Sequence, residues 1–215
     1  FESLSMTASR NLTRLIPVRA PQSPSGAEAY FQEFPELLEN LPYRTIDAVI
    51  DALWEAYQQD RALFVFGNGG SAALASHSAC DLGKGTVVNS NRRFRVLSLT
   101  DNVPLMTAWA NDQRYADVFA EQLRPLVRPN DVVLAISGSG NSENVLNGLQ
   151  VAREAGARTI GLTGFQGGKM KFLCDLCVVI PTNSMQLIED FHLAVTHSIF
   201  MNLRRRIAEA GGAGE

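Results

Sequence analysis

The segments whose residue types could do chemistry most directly are Gly67–Asn68–Gly69–Gly70–Ser71 and Ser137–Gly138–Ser139–Gly140–Asn141–Ser142. Each follows an apolar run, Phe64–Val65–Phe66 in one case and Val132–Val133–Leu134–Ala135–Ile136 in the other. Each then leads into a stretch of helical composition. Glycines let the backbone approach a ligand, the first amides of a helix point outward unpaired, and the helix dipole favours an anion. The serines add hydroxyls, which suits a phosphate monoester on a sugar better than a nucleotide triphosphate. One such loop is explained by the steric needs of a strand-to-helix turn. Two in one small domain point to a phosphorylated ligand. Ser137 and Ser139 resist the bland explanation best, because a helix cap accounts for one serine and not for that pair plus Ser142.

Acid–base residues lie near these loops. His77 and Asp81 are four apart on the segment after the first loop, hence on one face of a helix. Glu189 and His197 lie eight apart near the C-terminal end. Taken singly, His77 reads as a surface histidine and Asp81 as an ion-pair partner of Lys84. Glu189, Asp190 and His192 read as polar residues of an amphipathic helix, and His197, among Ala194, Val195 and Ile199, as a core or interface histidine. Asn111–Asp112 alone reads as a turn.

The elements that must position these residues follow from periodicity. Five short apolar runs, Leu63–Phe66, Val96–Leu99, Val132–Ile136, Thr159–Leu162 and Cys177–Ile180, are expected strands. Expected helices between them are Ala72–Leu82, Gln113–Leu123, Glu143–Ala155 and Lys169–Leu173, preceded by Ala27–Leu41 and Thr45–Asp60. Continuous apolar strands alternating with helices predict an α/β fold with a parallel sheet covered on both faces. Ile46, Val49, Ile50, Leu53, Trp54 and Tyr57 give the second early helix a wide apolar stripe, to be buried on the domain or on another subunit. A long helix closes the chain, roughly Met185 to Ala210, ending at Gly211–Gly212.

The 215 residues suffice for one globular domain. We expect a flexible N-terminal segment over 1–26, a single domain over 27–210, and a short tail over 211–215. Phe1–Ser5 reads as a tag remnant ahead of a start at Met6, and no signal-peptide pattern follows it. Apolar residues make up 46% and the net charge is −3, which argues against disorder and against a polyanion-binding surface. Arg204–Arg205–Arg206 complements a helix C-terminus rather than marking a nucleic-acid site. No run approaches the ~20 apolar residues of a membrane span. The three cysteines (Cys80, Cys174, Cys177) form no disulfide framework, which implies a cytoplasmic, reduced setting. Cys174–Asp175–Leu176–Cys177 has no second pair to complete a zinc ribbon, so its thiols read as small buried hydrophobes.

The two loops with His77, together with Asn111–Asp112, Leu162–Thr163–Gly164, Gly167–Gly168–Lys169–Met170 and the segment Ile188–His197, resemble the sugar-isomerase (SIS) domains, closest to the phosphoheptose isomerases. The resemblance runs from about Thr45 to Leu203. It implies a five-stranded parallel sheet flanked by helices, a Rossmann-like three-layer sandwich, with N-terminal helices and a long C-terminal helix. It also implies a homotetramer with active sites at subunit boundaries. The phosphate would sit on Ser137, Ser139 and Ser142, with Gly138 and Gly140 giving backbone N–H groups. Asn68, Gly69, Gly70 and Ser71 would face the sugar, and Asn111 and Asp112 would hold hydroxyls near the reacting carbons.

Isomerising a 2-ketose phosphate to an aldose phosphate moves a proton between C1 and C2 through an enediol. That calls for a base at those carbons and a group or metal that polarises the carbonyl oxygen. By resemblance, the family's zinc ligands fall on His77, Asp81, Glu189 and His197, with Asp81 as base and His197 as partner acid. Glu189 would also touch the substrate. Here Asp81 replaces a Glu and Glu189 a Gln, while Lys84–Gly85 and Gln186–Leu187 stand where the family carries Arg and Asp–Arg. Eight helical residues rise ~12 Å, so Glu189 and His197 share one ion only with extended side chains, or one of them serves a neighbouring subunit. On spacing alone His192 is the nearer partner of Glu189. The implied reaction is sedoheptulose 7-phosphate to a D-glycero-heptose 7-phosphate. The alternatives are another ketose phosphate, or a non-catalytic sugar-phosphate sensor or partner-binding tetramer.

Overall fold

A computed structural model describes residues 25–88 and 92–212. The expectations for the tag remnant, most of the N-terminal lead-in and the last residues of the tail lie outside the described residues. Over the described residues the chain divides into two compact units, one up to Pro35 and one from Glu36 onward. The first includes helix α1 (Ala27–Phe31) and the start of α2 (Phe34–Glu39). One helix was expected across this stretch; Pro35, which has no N–H with which to prolong α1, sits instead in the first turn of α2.

The second unit carries the sheet. After α3 (Tyr43–Gln58), the strands are β1 (Ala62–Gly67), β2 (Arg95–Ser98), β3 (Val132–Ile136), β4 (Arg158–Thr163) and β5 (Leu176–Val179). Their order is β2-β1-β3-β4-β5, and every pairing is parallel. All residues of β1 and β3 are buried, as a central parallel strand covered on both faces requires. Edge strand β2 leaves Arg95 and Leu97 exposed. One face packs Phe64, Phe66, Val133 and Ala135 against Phe119, Leu123, Val145 and Leu149. There the Phe66 and Phe119 rings stack with centroids 4.8 Å apart. Buried Asp131 ties the strand starts together: its carboxylate accepts from the Ala62 N–H at 2.9 Å and from the Arg128 N–H at 2.8 Å.

The connecting helices are α4 (Gly70–Cys80), α5 (Val103–Asp112), α6 (Ala120–Leu123), α7 (Glu143–Glu154), α8 (Met170–Leu173) and α9 (Met185–Gly212). A π-helical turn, Asp81–Gly85, prolongs α4, and a 3-10 turn, Tyr115–Asp117, precedes α6. The helix expected over Gln113–Leu123 is corrected to α5 followed by these shorter pieces. The start signal sits earlier, at Asn102, whose side chain accepts from the Leu105 N–H, with Pro104 in the first turn. Asn111 and Asp112 therefore end a helix rather than form a turn. The closing helix runs two residues past Ala210. Cys174 and Cys177, expected to be buried, are half-buried, and Cys80 is exposed. Among the described residues no helix is long and apolar enough to cross a membrane.

Candidate active site

Strand β1 is followed by β2 on one side, and the chain then crosses to β3 on the other, so the β1/β3 boundary is where the sheet's winding reverses. Ligands of open parallel sheets bind at the carboxyl ends of the strands at such a point. Gly67 pairs with Ile136, so the two glycine loops leave adjacent strand ends side by side.

An amide pair joins them. The Asn68 Nδ2–H donates to Asn144 Oδ1 at 2.8 Å, and the Asn144 Nδ2–H donates to Asn68 Oδ1 at 2.8 Å. The Val145 N–H donates to Asn144 Oδ1 at 3.0 Å. Because a backbone amide can only donate, it fixes which end of both amides is oxygen. The Tyr115 hydroxyl then donates to Asn68 Oδ1 at 2.9 Å. Neither Asn144 nor Tyr115 was singled out from the sequence. The usable signal for Asn144 was an asparagine in the first turn of the helix after the serine loop, facing a second asparagine in the neighbouring glycine loop.

The serine loop is folded on itself. The Gly140 N–H donates to Ser137 Oγ at 3.2 Å, the Asn141 N–H donates to Ser139 Oγ at 3.2 Å, and the Ser137 and Ser142 hydroxyls lie 3.3 Å apart. Ser142 makes no side-chain cap to α7, so capping does not account for it. Gly140 has φ +64°, and a Cβ there would lie 2.3 Å from the Gly167 carbonyl oxygen. The loop thus rests directly on the Gly167–Gly168 turn, and the Met170 N–H donates to the Gly140 carbonyl at 3.0 Å.

Next to the loops, α4 and α9 bring three expected residues together. His77 Nε2 lies 2.9 Å from His197 Nε2 and 3.3 Å from Asp81 Oδ2, and His197 Nε2 lies 3.8 Å from the same oxygen. Asp81 opens the π-helical turn and faces the two histidines. Both imidazoles are about half exposed, at 48% and 47%, which sets aside a fully buried core role for His197. Two ring nitrogens and a carboxylate oxygen within 4.8 Å of one another are the donor set of a borderline cation such as zinc. The residues present fit a divalent ion.

Glu189 lies outside that group. Its carboxyl rests over Gly70, where an added Cβ would meet Glu189 Oε1 at 2.8 Å. Together with Ser71, Leu74, His77, His192 and Leu193 it lines a cleft of about 300 Å³ between α4 and α9. His192 is not a partner of Glu189: it is 1% exposed, and its Nε2–H donates to the Thr163 carbonyl at 3.1 Å. Burial pushes its pKa down to about 4, against the raising effect of that bond. It is a neutral strut between α9 and the end of β4, where the Thr163 hydroxyl donates to the Gly138 carbonyl at 3.2 Å. Asn111 and Asp112 are exposed and bonded to one another at 2.8 Å.

A doubly wound sheet with a serine–glycine loop at its switch point marks an α/β protein built for a phosphorylated ligand. Residues 29–164 match the SIS domain family. The chain is 36% identical over 173 residues to the probable phosphoheptose isomerase of Thermoplasma acidophilum, a match spanning 80% of this chain and 94% of that protein. It is 42% identical over 147 residues to the phosphoheptose isomerase of Pelobacter propionicus, spanning 68% and 77%. Among solved structures, phosphoheptose isomerase from Neisseria gonorrhoeae has a TM-score of 0.74 at 30% identity, covering 81% of this chain and 95% of that one. The enzyme from Francisella tularensis reaches 0.77 at 25% identity, covering 83% and 94%. The chain belongs to the phosphoheptose isomerase family of SIS-domain proteins.

Proposed function

We propose that this chain is an aldose–ketose isomerase that interconverts sedoheptulose 7-phosphate and a D-glycero-heptose 7-phosphate through an enediol. The observation that carries the reading is the meeting of His77, Asp81 and His197, from helices 120 residues apart, beside the two loops at the sheet's switch point. The relatives named phosphoheptose isomerase support the substrate.

In this mechanism the hydroxyls of Ser137, Ser139 and Ser142 and the amides at the start of α7 hold the phosphate. Asn68, Gly69, Gly70, Ser71 and Glu189 border the sugar, and Asn111 and Asp112 approach its hydroxyls. Asp81 takes a proton from C1 while His197 protonates the oxygen on C2, giving the enediol. Asp81 then returns a proton to C2 as His197 removes one from the oxygen on C1. Each group is restored and no redox partner is consumed. A divalent cation, in our reading zinc, would be held by His77, Asp81 and His197, with Glu189 on the same cleft as His77 as the fourth ligand the resemblance implies, and would polarise the carbonyl oxygen.

The same resemblance assigns a homotetramer in the cytoplasm with sites at subunit boundaries. Its support here is that α9 leaves Met185, Leu193 and Met201 exposed, apolar surface of the kind a subunit contact covers. The test is proton exchange followed by NMR: protein with sedoheptulose 7-phosphate in D₂O, with and without chelator. Expected are aldose formation and deuterium at the transferred carbon, both abolished by chelation and by Asp81→Asn. Tight binding without exchange would replace the isomerase with a sugar-phosphate sensor.

A further inference from the structure

The proposed reaction makes no use of Cys174–Asp175–Leu176–Cys177. The chain leaves α8 at Cys174, bends at Asp175 and enters β5 at Leu176. Thr159 pins that bend. The Asp175 N–H donates to the Thr159 carbonyl at 3.0 Å, and Asp175 Oδ2 accepts from the Thr159 N–H at 2.8 Å and from its hydroxyl at 3.0 Å. Cys177 stands in register with Gly161 of β4, and residues in register share a face of the sheet. Gly161 has no side chain, and sulfur occupies the space. A Cβ built there would lie 2.9 Å from Cys174 Sγ and 3.2 Å from Cys177 Sγ. The two thiols therefore converge on one spot, where the Cys174 S–H donates to the Cys177 sulfur.

The two sulfurs are not equivalent. That hydrogen bond, then burial, pushes the Cys174 thiol up. The same bond draws Cys177 below the ordinary thiol value; burial opposes this and the Lys171 ammonium adds to it. Both residues are half-buried. We propose that Cys174 and Cys177 form a redox-active dithiol that hydrogen peroxide converts to an intramolecular disulfide over Gly161. The Cys177 thiolate attacks one peroxide oxygen and the O–O bond breaks. Sulfur keeps that oxygen as a sulfenic acid, and the other leaves as hydroxide, which a proton turns to water. Cys174 then loses its proton and its sulfur attacks the Cys177 sulfur. The hydroxyl departs with that proton as a second water. Two thiols have given up two electrons and one peroxide has become two waters. The pair shares no residue with the proposed isomerase site, so it stands or falls independently of that reading.

The test treats the reduced protein with hydrogen peroxide, caps remaining thiols with iodoacetamide and weighs the tryptic peptides. Peptide 172–204 carries both cysteines. It is expected to carry no cap and to be about 2 Da lighter than its reduced form, and dithiothreitol before capping should restore both caps. Cys174→Ser should stop at the sulfenic acid on Cys177, captured by dimedone, while Cys177→Ser should leave Cys174 open to the cap. Two caps on the peroxide-treated wild type would overturn the proposal. So would a disulfide joining two chains, or Cys177 carried on to sulfinic acid with Cys174 still capped. Should the serine variants fold poorly, the mass of the wild-type peptide decides alone.

Discussion

The amide pair between the loops makes a quantitative prediction. Asn144 is 3% exposed, so Asn144→Ala removes both 2.8 Å bonds to Asn68 from a dry site. Each neutral bond is worth about 0.5–1.5 kcal/mol net. The Val145 N–H keeps its 3.0 Å bond to the Ser142 carbonyl, and half-exposed Asn68 recovers water, so no buried group is stranded. The expected cost is about 2 kcal/mol, a drop in Tm of roughly 4–8 °C for a domain of this size. Asn68→Ala removes the same two bonds but leaves the Nδ2 donors of buried Asn144 without a partner, so it should cost at least as much. Urea unfolding of both single variants and the double variant, at equal m-values, gives the coupling between the side chains. It should be about 1–2 kcal/mol. Additivity within ~0.5 kcal/mol, the behaviour of independent sites, would refute the pair as the link between the loops.

Three further outcomes are expected. His192, near pKa 4 when folded and about 6.5 when unfolded, leaves the unfolded chain binding more protons between those values. Its contribution of about 3 kcal/mol is present above pH ~6.5 and lost as pH falls toward 4; His192→Gln should flatten that part of the stability–pH curve measured by denaturant unfolding. Gly140→Ala forces a side chain into φ +64° and to 2.3 Å from the Gly167 carbonyl, so the serine loop must move. Titration should show inorganic phosphate binding at least ~10-fold weaker, a loss above 1.4 kcal/mol. His77→Ala should lower the divalent metal retained per chain, read by mass spectrometry of dialysed protein, with the far-ultraviolet spectrum unchanged; full metal retention would show that the triad does not hold the ion.

Much of this molecule is legible locally. Unbroken apolar runs announced five strands, and every expected run lies within about one residue of the observed strand. Glycine and serine after two of them announced the two loops at the strand ends, because backbone freedom and hydroxyl content are properties of the residues themselves. The spacing of His77 and Asp81 was enough to set them on one helical face. Local signals misplaced α5, where one capping asparagine outweighed the apolar spacing that followed it, and they overstated the burial of the cysteines.

Tertiary structure decided which residues meet. The chain's spacing offered His192 to Glu189, but the crossing of α9 over the end of β4 turned His192 inward to the Thr163 carbonyl and left Glu189 over Gly70. It carried His197 instead to His77 and Asp81. Likewise Asn68 and Asn144 became partners only because β1 and β3 are neighbours, with Gly67 opposite Ile136. Periodicity records whether a residue is buried, since burial acts on each side chain where it stands. Pairing across the fold depends on strand order and helix crossing, which many distant contacts set together and no single stretch of sequence encodes.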